Sequence, residues 1–277
     1  MSFWDDALQE LRRDFITGAV GRLSELEACI ESLASDPRDA SALAGIIGHF
    51  HRLAGAGASF GLPAVSRLGA SGERSSLAVR DEGRGPTSEE LAEWLQLLRD
   101  ASAEFQRSSS PDTWVDGRAD SSIASSAGRF QALVVDDDPD VVRLLRMILE
   151  RHGGLVRSAA SVAAAQDALS ALLPDLLVVD VLLRDGSGHD LVERVRSLPR
   201  GAGVSILTCS SRGAGRERAE AVRRGADAFL QKPIDRGEVI ARVDQLLSRP
   251  GLTPGRVAYL GEGGLARRSL ESPLASL

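Results

Sequence analysis

The feature that most constrains this chain is an alternation, starting near residue 129, of short apolar runs with helix-like patterns. The runs are ALVV (132–135), LLVV (176–179), SIL (205–207) and AFL (228–230), with a further short one at Leu155 and Val156. Buried parallel strands read as apolar runs, and the helices between them form right-handed crossovers. The pattern predicts an α/β domain over residues 129–249, built on a doubly wound, five-stranded parallel sheet.

The N-terminal part of the chain has a helical period instead. Its apolar residues recur every three or four positions, as in Leu8, Leu11, Phe15, Ile16, Leu23, Leu26, Ile30 and Leu33. The pair Asp36-Pro37 and the turn-rich stretch 81–87 interrupt the period. We therefore expect an all-α bundle of four or more helices over residues 1–106.

Two further segments lack a domain pattern of their own. Residues 107–128 contain seven serines together with glycine and proline, a composition typical of a linker. The tail at 250–277 has one strand-like run, VAYL (257–260). It is interpreted either as a loosely docked extension or as the start of a truncated second α/β unit.

Charge and composition narrow the function classes. A net charge of −6 argues against a nucleic-acid-binding surface, which needs a basic patch. The sequence contains neither a secretion signal nor a run of about 18 apolar residues, so we expect a cytoplasmic protein without a membrane segment. Cys29 and Cys209 are interpreted as small buried hydrophobes.

Reactive side chains follow the predicted strands. Asp136 and Asp137 come after the first strand, Asp180 ends the third, Ser210 the fourth, and Lys232 follows the fifth. Parallel strands deliver these positions to one edge of the sheet. Clustered carboxylates favour Mg²⁺, and a hydroxyl and an ammonium beside it suit a phosphoryl group. The set predicts a phosphoryl site with Asp180 as the nucleophile.

The motifs around these residues carry a family resemblance. The segments VVDDDPD (134–140), LLVVDVLLRDGSG (176–188), SILTCSS (205–211) and GADAFLQKP (225–233) resemble response-regulator receiver domains. The resemblance implies a flavodoxin-like fold and Asp180 as the phospho-acceptor. It also implies Mg²⁺ as cofactor, held by Asp136, Asp137, Asp180 and the backbone carbonyl of Leu182.

The same resemblance assigns the rest of the site. Ser210 and Lys232 would contact the phosphoryl group, Phe229 would be the aromatic switch residue, and the Lys232-Pro233 bond would be cis. Arg184 departs from the pattern, because the family usually has proline there. A degenerate receiver used only for docking remains an alternative. We set aside an aspartate-nucleophile phosphohydrolase, because Leu182 stands where a second acid is expected.

A glycine-rich helical segment, FHRLAGAGASFG (50–61), carries one histidine on its own face. At about 100° per residue the core arc comprises Ala42, Ile46, Phe50, Leu53, Gly57 and Phe60. His51 points away from that arc. The residues around it form a predicted docking face of Ile47, Gly48, Ala54, Gly55 and Ala58. We expect an exposed imidazole on a shallow landing surface.

This segment resembles the phospho-acceptor helix of histidine-containing phosphotransfer (HPt) domains, and the resemblance spans about residues 5–105. It implies His51 as a second phospho-acceptor. The other histidines carry no motif: His49 is interpreted as structural, and His152 and His189 as surface residues.

Together the two resemblances imply a phosphorelay signalling protein in which phosphoryl groups pass through His51 and Asp180. No kinase ATP-binding domain is recognisable, so we predict a signalling protein rather than a conventional enzyme. Its expected partners are an upstream sensor histidine kinase and a cognate receiver or HPt protein. The alternative is a docking scaffold, or a regulatory fragment of a larger regulator, that passes no phosphate. The oligomeric state stays open.

Overall fold

The computed structural model describes residues 3–108, 130–211 and 214–248. Most of the predicted linker and the whole predicted tail, with its strand-like run at 257–260, lie outside these residues. Among the described helices, none combines the length and the apolar character needed to cross a membrane.

The N-terminal part is a bundle of four helices, as the helical period predicts. The helices are α1 (Phe3–Ser35), α2 (Ala40–Ala56), α3 (Pro63–Asp81) and α4 (Ser88–Ser108), with a 3₁₀ turn at Gly57–Phe60. Asp39 begins α2 by accepting hydrogen bonds from the backbone N–H groups of Ser41 and Ala42. Helix α4 extends two residues beyond the predicted end of the bundle at 106, and Arg107 in its last turn pairs with Glu104.

The core of the bundle lies where the helical arc places it. All six residues of the predicted arc, which runs from α2 into the 3₁₀ turn, are buried. The ring of Phe60 stacks on that of Phe15 from α1, with centroids 4.7 Å apart. Trp94 of α4 is fully buried and donates its indole N–H to Ser75. Aromatic side chains from three elements therefore fix the bundle.

Helices α2 and α3 approach each other closely because glycines face the contact. A Cβ on Gly69 would lie 2.4 Å from the backbone nitrogen of Ala54, and one on Gly72 would strike the Phe50 ring. Gly61 takes a left-handed conformation (φ 75°) that turns the chain from the 3₁₀ turn into α3. The close packing brings α3 side chains next to His51.

The C-terminal part is the predicted α/β domain. Its strands are β1 (Phe130–Val135), β2 (Gly154–Ala159), β3 (Leu176–Asp180), β4 (Leu182–Leu183), β5 (Gly186–Ser187), β6 (Ser205–Ser210) and β7 (Ala228–Gln231). Its helices are α5 (Pro139–Arg151), α6 (Val162–Ala171), α7 (Gly188–Ser197), α8 (Ala214–Arg223) and α9 (Arg236–Leu247), with a 3₁₀ turn at Gly201–Gly203. Five strands form a parallel sheet in the order β2-β1-β3-β6-β7, which confirms the predicted fold class.

The sheet delivers the predicted residues to one edge. Asp180 ends β3 opposite Cys209, and Ser210 ends β6. The Lys232-Pro233 bond after β7 is cis, as predicted. Asp138 caps α5 by accepting from the N–H of Asp140. The antiparallel pair β4–β5, which the apolar pattern does not show, lies directly after Asp180.

Candidate functional site

The acidic residues of the sheet edge surround one lysine. Nζ of Lys232 donates to Oδ2 of Asp136 at 2.9 Å and also to Oδ2 of Asp180. The other oxygen of Asp180 accepts from the backbone N–H of Leu182 at 3.1 Å. All three charged side chains are almost completely buried. The strand ends thus hold two carboxylates against one ammonium, away from water.

Burial and the charge of Lys232 give the two carboxylates, Asp136 and Asp180, different pKa values. Burial raises the pKa of Asp136 to about 7, although the charge of Lys232 works against this. For Asp180 burial also favours the neutral form, but Lys232 and a hydrogen bond from His51 outweigh it and lower the pKa. Both carboxylates in turn raise the pKa of Lys232 against the effect of its burial. Asp180 is therefore the more acidic carboxylate of the pair.

A divalent cation fits this edge. Asp136, Asp137 and Asp180 each offer a carboxylate oxygen, and these oxygens lie within 4.8 Å of one another. An all-oxygen set of this kind suits Mg²⁺. In the described structure Asp137 pairs with Arg184, whose Nε donates to Oδ2 at 2.8 Å.

His51 lies in the same site, and the prediction that it is exposed is wrong. Its exposed fraction is 4%, because the α/β domain covers this face of α2. Nε2 lies 3.4 Å from Oδ2 of Asp180, while Nδ1 lies 3.0 Å from Oε1 of Glu73 and 3.2 Å from Oγ of Ser211. Burial opposes a charge on the ring, yet the bonds to Asp180 and Glu73 raise the pKa of His51 to about 9. The imidazole is thus clamped between two carboxylates.

Contacts on either side of His51 hold the two domains together. Arg22 of α1 donates to Asp140 of α5 at 2.7 Å, and Arg143 of α5 donates to Asp14 of α1 at 3.2 Å. Oγ of Ser59 accepts from the backbone N–H of Ile234 at 2.7 Å. These contacts come from α1 and from the 3₁₀ turn that follows α2. The apposition of His51 and Asp180 is therefore part of a wider domain interface.

A small residue of the predicted docking face lies directly against the receiver domain. Gly55 lies against Lys232, since a Cβ built on it would be 3.0 Å from the lysine Cδ. Ile47, Ala54 and Gly55 are buried, and Gly48 and Ala58 are half-buried. The face predicted to receive a partner is thus largely covered within this chain.

Comparison with known proteins identifies both domains. The family model described as "Response regulator receiver domain" matches residues 132–244, and the one described as "Hpt domain" matches residues 10–104. An uncharacterised 14.6 kDa protein of Leptolyngbya boryana is 40% identical over 117 residues, which cover 42% of this chain and 89% of that protein. The chain is an Hpt domain joined to a response regulator receiver domain. Both domain types belong to two-component phosphorelay signalling, and so does this protein.

Further relatives and solved structures are similar to part of the chain. Protein PetR of Rhodobacter capsulatus is 36% identical over 141 residues, covering 50% of this chain and 58% of PetR. A crystal structure of a response regulator from Chloroflexus aurantiacus is 35% identical and covers 43% of this chain and 98% of its own, with a TM-score of 0.42. Apart from the Leptolyngbya protein, the chain spans little more than half the length of the first curated relatives.

The remaining predicted receiver residues lie within or at the ends of their strands. Ser210 is buried at the end of β6, and Phe229 is buried in β7. Leu182 begins β4, two residues after Asp180, and is half-buried. Asp180, Ser210 and Leu182 thus lie at one edge of the sheet, together with His51 of the Hpt domain, whereas Phe229 lies two positions further back in its strand.

Several contacts of the site were not predicted. Glu73 is a buried acid on the glycine-containing face of α3, and that combination was the available signal. Asp140 lies in the first turn of α5, and its carboxylate binds Arg22 of the other domain. The prediction that His189 is a surface residue is wrong, because it is buried in the first turn of α7 with Nε2 3.3 Å from Glu217. The prediction that His49 is structural agrees with its burial in α2.

Proposed function

We propose that this protein passes a phosphoryl group between His51 and Asp180 of the same chain, as one step of a phosphorelay. The observation that carries the proposal is the buried 3.4 Å approach of Nε2 of His51 to Oδ2 of Asp180. A nucleophile and an acceptor held together in a water-excluded contact need no diffusional encounter. The chain then supplies both acceptors of one transfer step.

The roles of the two acceptors follow from bond changes at one phosphorus. In transfer from Asp180, the lone pair of Nε2 forms a bond to phosphorus while the P–O bond to the carboxylate breaks. The electron pair returns to Asp180, which regains its negative charge. Nε2 must be unprotonated for this attack, so it loses its proton to solvent in the separated form, before the phosphorylated receiver docks. The remaining ring proton stays on Nδ1 and is donated to Glu73.

Basic and hydroxyl groups at the sheet edge would stabilise the transferred group. Lys232 already lies against Asp180 and would bind a phosphoryl oxygen, with Ser210 as a second contact. Phe229 would be the switch residue. Mg²⁺ would be held by Asp136, Asp137, Asp180 and the carbonyl of Leu182, and it would neutralise charge on the phosphoryl oxygens. These roles stay predictions.

The burial of both acceptors also limits which partner proteins can reach them. His51 is 4% and Asp180 is 1% exposed, so neither is open to a kinase or to a second receiver while the domains are docked. We infer that an upstream sensor histidine kinase, or a cognate receiver or HPt protein, meets a form in which the domains have separated. Docking within the chain and relay to partners are then alternating states.

The test is intact-mass analysis of the full chain after incubation with acetyl phosphate and Mg²⁺. Wild type is compared with Asp180→Asn, His51→Gln and two controls, Asp167→Asn and His152→Gln. We expect a base-labile adduct that needs Mg²⁺ and disappears in Asp180→Asn. A second, acid-labile adduct should disappear in both Asp180→Asn and His51→Gln, while the controls behave as wild type.

The outcomes separate relay from scaffold. A base-labile adduct without any acid-labile one means that the receiver works but does not pass its phosphoryl group to His51. The absence of every adduct, with acetyl phosphate and with a phosphorylated HPt donor alike, favours the docking scaffold.

A further inference from the structure

Arg184 forms an ion pair with Asp137, one of the three carboxylates of the candidate cation site. It lies in the turn between β4 and β5, and its Nε donates to Oδ2 of Asp137 at 2.8 Å. The arginine side chain is 61% exposed, whereas that of Asp137 is 7% exposed. The charge of Arg184 thus sits on the solvent side of a carboxylate that is otherwise enclosed.

The turn that carries Arg184 is held in place from two directions. Strands β4 and β5 pair directly before and after it, with Leu183 opposite Gly186. The adjacent Asp185 accepts hydrogen bonds from the backbone N–H groups of Val162 and Ala163 at the start of α6, at 2.8 and 3.0 Å. The backbone of Arg184 is therefore fixed within reach of Asp137, so the ion pair costs little ordering of the main chain.

The other two carboxylates of the site have a different cation. Lys232 binds both Asp136 and Asp180, and its side chain is 2% exposed. Asp137 has the exposed Arg184 as its basic partner. Of the two cations, the guanidinium is the one that already lies largely in solvent, so it can move away from its carboxylate without itself being desolvated or resolvated. Leaving also relieves repulsion, because the positive charge of Arg184 acts on Arg52 of the Hpt domain.

We propose that Arg184 is a tethered competitor of the divalent cation. It binds Asp137 when the site holds no metal ion, and it leaves that carboxylate when Mg²⁺ binds. Metal binding must therefore break a charge-assisted hydrogen bond and proceed against a nearby positive charge. Arg184 would in this way raise the Mg²⁺ concentration at which the site fills. The inference rests on the proposed function only in assuming that Asp137 is a metal ligand.

The test is isothermal titration calorimetry of Mg²⁺ into the full, unphosphorylated chain. We expect Arg184→Ala to lower the dissociation constant by about 3- to 10-fold, the range for losing a partly exposed ion pair together with its repulsion. Arg184→Lys keeps the charge without the planar fork and should give an intermediate value. The control Arg194→Ala removes an exposed arginine of α7 and should leave the constant unchanged.

A fourth variant separates this proposal from the proposed function. Asp137→Asn should weaken or abolish Mg²⁺ binding. If it does, while Arg184→Ala and Arg184→Lys both bind Mg²⁺ like wild type, the competitor role is overturned and the metal site stands. If neither wild type nor Arg184→Ala binds Mg²⁺, the metal part of the proposed function fails, and the competitor role fails with it.

Discussion

Glu73 of α3 accepts a hydrogen bond from Nδ1 of His51 at 3.0 Å, and this contact leaves Nε2 as the nitrogen that faces Asp180. The carboxylate is 4% exposed and reaches the ring because glycines let α3 approach α2. A ring nitrogen is a nucleophile only when it carries no proton, so the partner of Nδ1 fixes the reactive tautomer. Glu73 is therefore a positioning residue.

Glu73→Ala is expected to slow formation of phosphohistidine about 10-fold, which corresponds to the loss of one buried hydrogen bond. Glu73→Gln keeps an acceptor oxygen and should retain more of the rate. The measurements are the rate at which the acid-labile adduct appears and the ¹⁵N chemical shifts of the imidazole above pH 9, where the ring is neutral. The exposed Glu31→Ala on α1 is the control. An unchanged tautomer in Glu73→Ala would contradict the positioning role.

The ion pair between Arg22 and Asp140 is expected to stabilise the docked state by about 1–2 kcal/mol, between the values for exposed and buried pairs. Asp140→Asn should therefore shift the chain towards separated domains. Small-angle scattering would report a larger radius of gyration, and hydrogen exchange would increase in α2.

The matched control for this pair is Asp14→Asn. It removes the other ion pair between α1 and α5, in which both side chains are about half exposed. Its effect should be below about 0.5 kcal/mol. Equal effects of the two variants would argue that burial of the pair does not matter.

Gly55 is expected to tolerate no large side chain in the docked state. A Cβ there would already lie 3.0 Å from Lys232, which two carboxylates hold in place. Gly55→Leu should undock the domains while the Hpt bundle stays folded, because the added atoms point towards the receiver. Cross-linking between the domains would measure this loss.

Gly48→Ala is the control on the same helix. A Cβ on Gly48 meets nothing within 4 Å, so docking should be unchanged. The free energy of unfolding should rise by about 0.5–1 kcal/mol, since alanine is the better helix former. If both glycine variants dock like wild type, Gly55 is not a contact residue.

His49 predicts a loss of stability at mildly acidic pH. Burial, and then the charge of Arg52, lower its pKa to about 4, with Arg184 acting in the same direction and Glu25 against it. The folded pKa is below the unfolded value of about 6.5, so this contribution is complete above pH 6.5. It is lost progressively as the pH falls from 6.5 through 4.

The measurement is the free energy of unfolding of wild type and His49→Gln between pH 7 and pH 4. The carboxylates titrate in both proteins, so the difference between the two curves reports His49. The wild-type curve should fall more steeply. Parallel curves would contradict the lowered pKa.

The receiver fold was predictable because its sequence signals are local. Apolar runs mark the strands. Because the strands are parallel, the residues that follow them, Asp136, Asp180 and Lys232, must lie at the carboxyl edge of the sheet. The β4–β5 pair was missed because two-residue strands carry no period. These two-residue strands also place Arg184 against Asp137.

The burial of His51 could not be predicted from helical periodicity. The period separates the core face of α2 from the opposite face, and it assigns the opposite face to solvent or to a partner. Here the partner is the receiver domain of the same chain. That outcome depends on contacts such as Arg22 with Asp140, which lie 118 positions apart. Contacts between residues so far apart in sequence cannot be predicted from the periodicity of a single helix.

The most direct test of the central claim is the concentration dependence of phosphohistidine formation. The full chain is phosphorylated briefly with acetyl phosphate and Mg²⁺, freed of the donor, and followed by intact mass at protein concentrations that span a 20-fold dilution. Transfer from Asp180 to His51 within one chain predicts a single first-order rate at every concentration. A rate that falls in proportion to dilution, or a base-labile adduct that decays without any acid-labile product, would contradict it.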